Sequence, residues 1–492
     1  MISEWFWKEV TIGVVKRTNV PQVRRAPSDS DSARSIPIER RWPGLAGTPL
    51  VMADEVPSSE RLPYVQRLLL MAVLAAKRVI GLGASYPELF QDAPSPYYPE
   101  YCRLHPASEL PQDFEPGRDR LAGLAFRGPF SILTRKAGAG FELDLRHIEA
   151  QAPRAGFLPT GGVAHFSRAG EGLRTDWVEL DGLRHAPGGE GWALVEKRFL
   201  TGLATHTTLI EHLIHCHMCV GESFGLAAIE TLPSRHPVRV LIATFAIETL
   251  LVNGDNIDGL IKSEASNVPS YSGYTLATVN EIIRTVATNF DLRRMDPSWR
   301  GADQGTLDAD FATVQAAAEL FTHFRHMTQR YLHEVVKEVD APTRAWCEAV
   351  DRYIPNGVRQ LAGITDWQSL TLDQVAYVLA VLAYTSSVNH HIVADTTRDY
   401  MMAFNIMPPA LTTHGYPTRG MVLEKMNSIT IAGILRYKLL DEHVVLPEGA
   451  AQAIWAEFQG ALNGIQARVD ALPADLRRLA IHPVQIPSSI HT

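Results

Sequence analysis

The sequence predicts a mainly α protein with a small antiparallel β patch, and three observations carry that expectation. From about residue 192 to 480, apolar residues recur at helical spacing, over 192–230, 236–262, 276–290, 306–338, 342–353, 371–395, 418–440 and 446–470. Between about 120 and 195 the pattern changes to short β-rich pieces (GPFSIL, GFELDL, GVAHFS, DWVELDGL) separated by Gly-rich turns. No Pro/Gly-rich linker interrupts 192–480, so the helical part reads as one compact unit.

Each element has a local reason. Residues from about 15 to 60 are rich in Pro, Ser, Arg and Asp, a composition that buries little apolar surface. They are expected to form a flexible tail or a strap over the surface, with the segment 1–60 set apart from a domain spanning 61–492. A helix is expected near 62–80. Its apolar run, Leu68 to Ala76, lies between Arg67 and Lys77-Arg78. That run is far short of the roughly 20 residues a membrane-spanning helix needs. Thr371-Leu-Asp-Gln and Ser234 have the chemistry of helix starts.

Composition narrows the function. A net charge of −8, without a dense Lys/Arg block outside the N-terminal segment, argues against nucleic acid as a partner. Four cysteines, Cys102, Cys216, Cys219 and Cys347, make no disulfide framework and fit a reducing compartment. With no secretory signal in the first residues, a cytoplasmic protein is expected.

The chemistry concentrates in HTTLIEHLIHCHMC, which holds His206, His212, His215, Cys216, His217 and Cys219 in an otherwise apolar helical stretch. A single helical histidine is usually a packing residue, but four within twelve positions point to a metal. His212 and His215 share a face of a regular helix. His212 and His217, five apart, converge only across a π-type bulge. Spacing alone leaves both pairs open. A second helix, TLDQVAYVLAVLAYTSSVNHHIVAD, is uncharged from Val375 to Val388 and then presents His390, His391 and Asp395. Buried imidazoles need polar partners or a metal, and facing core helices commonly supply such sites. The last residues, IHPVQIPSSIHT, are apolar and Pro-punctuated, unlike an ordinary fraying end.

These pieces together resemble the lipoxygenases over roughly 120–492. The five-residue spacing of His212 and His217, with His236-Pro237 beyond and Thr249, Leu250 and Asn253 after it, is similar to the family's first iron-binding region. Thr371-Leu372-Asp373, Ser387 and His390-His-Ile-Val393 fall in register with the helix that carries its third iron histidine. Arg344-Ala-Trp346-Cys347-Glu348 resembles a family element just upstream. Trp192 with Lys197 matches the opening of the iron helix, and Ile486-Pro487-Ser488-Ser489-Ile490-His491-Thr492 the family's terminus.

The resemblance implies a lipoxygenase-like helical catalytic domain, of a compact form without the N-terminal lipid-binding β-barrel. It implies one iron ion held by His212, His217, His390 and the terminal carboxylate of Thr492. The implied reaction removes hydrogen from an activated methylene of a polyunsaturated fatty acid or related lipid and adds dioxygen to give a hydroperoxide. Ala394 stands where the family usually has a ligating Asn and offers no ligand atom. Asp395, His391 and His215 remain possible metal or outer-shell residues. Thr207 replaces a usual histidine, and Thr208 and Thr397 replace glutamines. An apolar substrate channel is expected past the iron, with Leu250, Leu251, Ser263 and Tyr384 as candidate lining residues. Ala394 also leaves room for a second reading, an iron oxidase or hydroperoxide isomerase with a non-standard natural-product substrate. A third is a non-catalytic metal-binding homologue.

Overall fold

The computed structural model describes residues 27–57 and 118–492, apart from 247, 308, 402–405, 419–420, 422–424, 426–436, 442–445 and 491–492. The helix expected near 62–80 lies outside the described residues, as does most of the one expected over 418–440.

The β-rich region is a five-stranded antiparallel meander. Its strands are β3 (Arg135–Ala137), β4 (Gly140–Leu145), β5 (Gly162–Ala169), β6 (Gly172–Leu180) and β7 (Leu183–His185), each paired with its chain neighbour. Short Gly-containing turns join β3 to β4, β5 to β6 and β6 to β7, so most of the sheet forms from local pairing. One face is buried through Phe141, Leu143, Ala164, Phe166, Val178 and Leu180, as alternation in a one-sided sheet requires.

The first long helix begins with α1 (Trp192–Thr205), passes without interruption into a π segment (His206–Gly221), and ends as α2 (Glu222–Thr231). It meets the sheet where two glycines cross: a Cβ on Gly202 would lie 2.5 Å from both the Cα and the N of Gly161. Arg198 clamps the same junction, its Nε donating to the Pro159 carbonyl at 2.7 Å and its guanidinium pairing with Asp181. Backbone faces backbone at the glycine crossing, so an added methyl has nowhere to go. Gly202→Ala is therefore expected to lower stability by about 1–3 kcal/mol, read as a lower urea midpoint with unchanged slope.

The other helices wrap this one: α3 (Pro237–Ala246), α4 (Thr249–Ile261), α5 (Leu276–Thr288), α6 (Ala312–Tyr331), α7 (Ala341–Tyr353), α8 (Leu372–Tyr384) and α9 (Ala450–Asp470). The region expected as one helix over 236–262 is two, because Glu248 adopts φ 60 between them. Thr371 starts α8 with a full capping box, its hydroxyl accepting from the Gln374 N–H while the Gln374 side chain accepts from the Thr371 N–H. Ser234 does not cap the helix that follows it. Its hydroxyl is bonded to Asp29, and the His236 ring accepts the Val238 N–H at 3.2 Å instead.

α8 runs on into two π segments, Thr385–Asn389 and His391–Thr396, which pack against the π segment of the first helix. Around this pair lies an aromatic core including Phe224, Phe321, Phe324, Trp346, Tyr384 and Phe458. No single helix among the described residues is long and apolar enough to cross a membrane.

The described part of the N-terminal region, 27–57, lies as a strap. β1 (Ser35–Pro37) pairs antiparallel with β2 (Val51–Ala53), and Ile38, Trp42, Leu45 and Met52 are buried. Apolar side chains spaced among the polar ones anchor it, and Trp42 Nε1 donates to Asp258 at 2.7 Å.

Candidate metal centre

The spacing of His212 and His217 needs a helix wound wider than α, and the chain provides one. Across the π segment residues five apart share a face, and at its end the Glu222 N–H bonds the His217 carbonyl. His390 enters from the facing helix. The three Nε2 atoms converge, 2.9 Å between His212 and His390, 3.0 Å between His217 and His212, and 3.2 Å between His217 and His390.

Mutual hydrogen bonds do not account for this triangle. His217 Nδ1–H donates to Asn253 Oδ1 at 2.9 Å, which leaves its Nε2 as a bare lone pair. Burial lowers the His217 ring to about 4, against the opposing hydrogen bond to Asn253, so the imidazole is neutral as a ligand must be. Three nitrogens about 2.1 Å from one ion and at right angles to each other would be about 3.0 Å apart; tetrahedral angles would spread them to about 3.4 Å. The observed separations fit the right-angled arrangement, which leaves further positions open. Among the described residues these three histidines form a group able to hold a metal.

Behind His217 stands a buried polar chain. Asn253 Nδ2 donates to the His217 carbonyl at 3.0 Å and to Glu222 at 2.8 Å, and Glu222 accepts the Ala53 N–H of the strap at 2.8 Å. Burial raises the Glu222 carboxyl to about 7, with the hydrogen bonds from Asn253 and Ala53 opposing. This chain sets the tautomer and direction of the His217 ring. Asn253→Ala is accordingly expected to weaken metal affinity by roughly 10–100-fold without removing a ligand, measured by competition with a chelator.

The remaining candidates are placed elsewhere. His215 turns away from the triangle, its Nδ1 3.6 Å from Glu211 and its ring against Phe290. His391 pairs with Asp395 at 2.8 Å, one turn along the helix, and neither joins the three imidazoles. The Asp395 carboxylate is thus engaged by a histidine of its own helix. Ala394 is half-buried on the same π turn. Cys216 and Cys219 are buried with thiols that burial pushes up, and Cys216 accepts from Asn389 Nδ2 at 3.4 Å. Thr492 lies outside the described residues. The segment leading to it is docked here nonetheless: Ile490 is fully buried, and its Cδ1 lies 2.6 Å from where a Cβ on Gly221 would be.

The candidate substrate-lining residues divide. Tyr384 lines a small cavity of about 20 Å³ with Arg300, Asn389 and Ile392. Leu250 instead fills the core against Gly225, Leu251 is half-buried, and the Ser263 N–H is bonded to Ser266. None of those three lines this cavity.

Two buried features escape a sequence reading. Glu211, next to His212, makes a two-pronged ion pair with Arg300 at 3.0 and 3.1 Å. Burial would raise its carboxyl, but Arg300, with the His206 and His215 rings close by, holds it well below the usual range. A lone acid within an apolar helix was the available signal. The second, Lys425, is buried beside the Tyr271 ring and Thr208, and no spacing in the sequence marks it.

No protein-family model matches this chain, and no curated protein matches it in sequence. Solved structures do. A lipoxygenase described as Delta413-417:GS LOX aligns with TM-score 0.78 and 15% identity, covering 95% of this chain and 84% of that one. The same lipoxygenase in complex with arachidonate aligns at 0.78 and 13%, covering 94% and 79%. Coral 8R-lipoxygenase aligns at 0.74 and 14%, again covering 94% and 79%. The fold is that of the helical lipoxygenase catalytic domain.

Proposed function

We propose that this protein is a non-haem iron dioxygenase that inserts molecular oxygen into a polyunsaturated fatty acid or related lipid, giving a hydroperoxide. The convergence of His212, His217 and His390 at right-angle spacing, on this fold, carries the reading. A ligand set of neutral imidazoles with open positions suits redox-active iron better than a closed structural zinc site. The docking of Ile490 against the metal helix supports a further oxygen ligand from the segment that follows, for which Thr492 is the candidate. The iron would supply the one-electron chemistry that activates the methylene. The protein's own residues hold the imidazoles neutral and directed, and exclude water through the apolar helices around them.

One observation favours a second reading. Ala394 brings no ligand atom beside His390, which favours a retuned iron site acting as an oxidase or hydroperoxide isomerase on a non-standard substrate. Metal analysis of untagged protein, followed by oxygen uptake with linoleate and arachidonate, separates the possibilities. About one iron per chain with oxygen uptake is the expected result. Iron without uptake favours the second reading, and stoichiometric zinc refutes both. Ala394→Asn is expected to alter the iron spectrum and turnover; identical values would show that this position does not tune the site.

A further inference from the structure

Ser35 and Ala53 face each other across the ribbon of β1 and β2, yet both turn their N–H groups outward, away from the ladder. Each meets a carboxylate of α2. The Ala53 N–H donates to Glu222 Oε1 at 2.8 Å, and the Ser35 N–H donates to Glu230. The Tyr353 hydroxyl joins the second group, bonded to Glu230 and 3.0 Å from Ser35 Oγ. Elsewhere along the strap, Arg41 and Trp42 reach Asp258 of α4 at 3.2 and 2.7 Å. Trp42, Leu45 and Met52 share one apolar cluster with Leu209, Leu213 and Met218 of the π segment.

One of these contacts leads to the imidazole triangle. The two oxygens of buried Glu222 accept from different elements, Oε1 from Ala53 and Oε2 from Asn253 Nδ2 at 2.8 Å. Asn253 in turn accepts the His217 Nδ1–H, which leaves His217 Nε2 as the lone pair. Donors at both ends require a group that accepts at both ends between them, and a carboxylate is such a group. The strap supplies the outer donor. Without it a buried oxygen of Glu222 loses its partner, which is costly, and the acceptor that holds the Asn253 amide is no longer fixed.

We propose that the strap over 27–57 is a positioning element of the candidate metal centre: its seating on α2 through Ala53 and Glu222, and metal binding by the three imidazoles, strengthen one another. This rests on the reading of the triangle as a metal site and adds to it a segment that supplies no ligand. Linkage makes the effect reciprocal. The factor by which the seated strap tightens the metal is the factor by which the metal holds the strap seated.

The test compares the full chain after chelation with the same chain reloaded anaerobically with Fe(II). Trypsin at low concentration, where cutting follows the open population, is directed at Arg34 and Arg40, both exposed in the strap. Cleavage after Lys337, in the exposed link that precedes α7, is the internal control. Loading is expected to slow the strap cuts by about 5–10-fold, within the range of coupled sites, and to change the Lys337 cut by less than about twofold. This comparison needs no substitution, so a variant that misfolds does not decide the outcome.

Ala53→Pro removes one N–H and keeps the side chains of the relay. It is expected to raise the Fe(II) Kd, read by chelator competition, by the same factor of about 5–10 and to abolish the protection of the strap by metal. Ser35→Pro removes the donor to Glu230 instead. Its strap should be cut faster, with the Fe(II) Kd within about twofold of the parent and the protection retained. Glu222→Gln sets an amide N–H against a donor on one side or the other, so it should weaken Fe(II) binding. Adding Ala53→Pro removes one of those donors and should recover part of that loss, the reverse of its effect in the parent.

Equal strap cleavage with and without Fe(II), an Fe(II) Kd unchanged in Ala53→Pro, additive losses in the double variant, or no metal binding at all overturns the proposal. Coupling without oxygen uptake would refute the dioxygenase reading and leave this one standing. Oxygen uptake with an uncoupled strap would do the reverse.

Discussion

Replacing His212, His217 or His390 with alanine is expected to reduce bound iron to well below one per chain and to abolish oxygen uptake. Three imidazoles that converge within 3.2 Å have one common centre, and each supplies one of few ligand atoms. Loss of an outer-shell partner typically weakens metal binding by about 10–100-fold, and loss of a ligand should exceed that. His215→Ala and His391→Ala are the informative controls, since their rings face Glu211 and Asp395. Both variants should retain iron, with some loss of stability from the carboxylates left behind. Elemental analysis checks the stoichiometry, and thermal unfolding with and without added iron checks the linkage. The stabilisation that iron gives the parent should vanish in the three ligand variants, because a ligand stabilises only the state that binds it. Retention of iron by any of the three would mean that the triangle is not the binding centre.

The second large effect concerns stability. Arg300→Ala or Glu211→Ala should destabilise the fold by about 3–5 kcal/mol, since each leaves an uncompensated charge in the interior. Both side chains are at most 7% exposed, and their two-pronged contact joins the π segment of the first helix to the helix over Pro297–Asp303. That short helix is itself fixed by Asp296, which accepts the Ser298 and Trp299 N–H groups at 2.8 and 3.1 Å and the Tyr377 hydroxyl at 2.5 Å. Glu211→Leu combined with Arg300→Met should regain most of the loss, because two apolar groups remove both charges together. Urea unfolding of the single and double variants gives the coupling directly. Independent, additive effects would show that the pair is not acting as a unit.

The ion pair also marks a boundary between what is local and what is not. Helical periodicity, the capping box at Thr371 and the turn-punctuated β meander all follow from residues within a few positions of one another. Among the described residues the structure has them where that reading expects, apart from the break at Glu248. Glu211 and Arg300 stand 89 positions apart, and no spacing rule connects them. Ser234 shows the converse case: it has the chemistry of a cap, but Asp29, far earlier in the chain, takes its hydroxyl. Leu250 shares the periodicity of a channel-lining residue, yet packing against Gly225 places it in the core.

The candidate metal centre lies across that boundary. By itself the sequence determined that histidines cluster on two apolar helices, and that the 212/217 pair requires a wide helical turn. Only the tertiary structure decided which histidines meet. The π winding from His206 to Gly221 rotates His217 onto the face of His212, and the packing of the two π segments brings in His390. The same packing turns His215 to Glu211 and His391 to Asp395. The reason is physical. Periodicity reports which face of a helix is apolar, whereas ligation depends on where two faces meet, and that is set by the side chains filling the space between them.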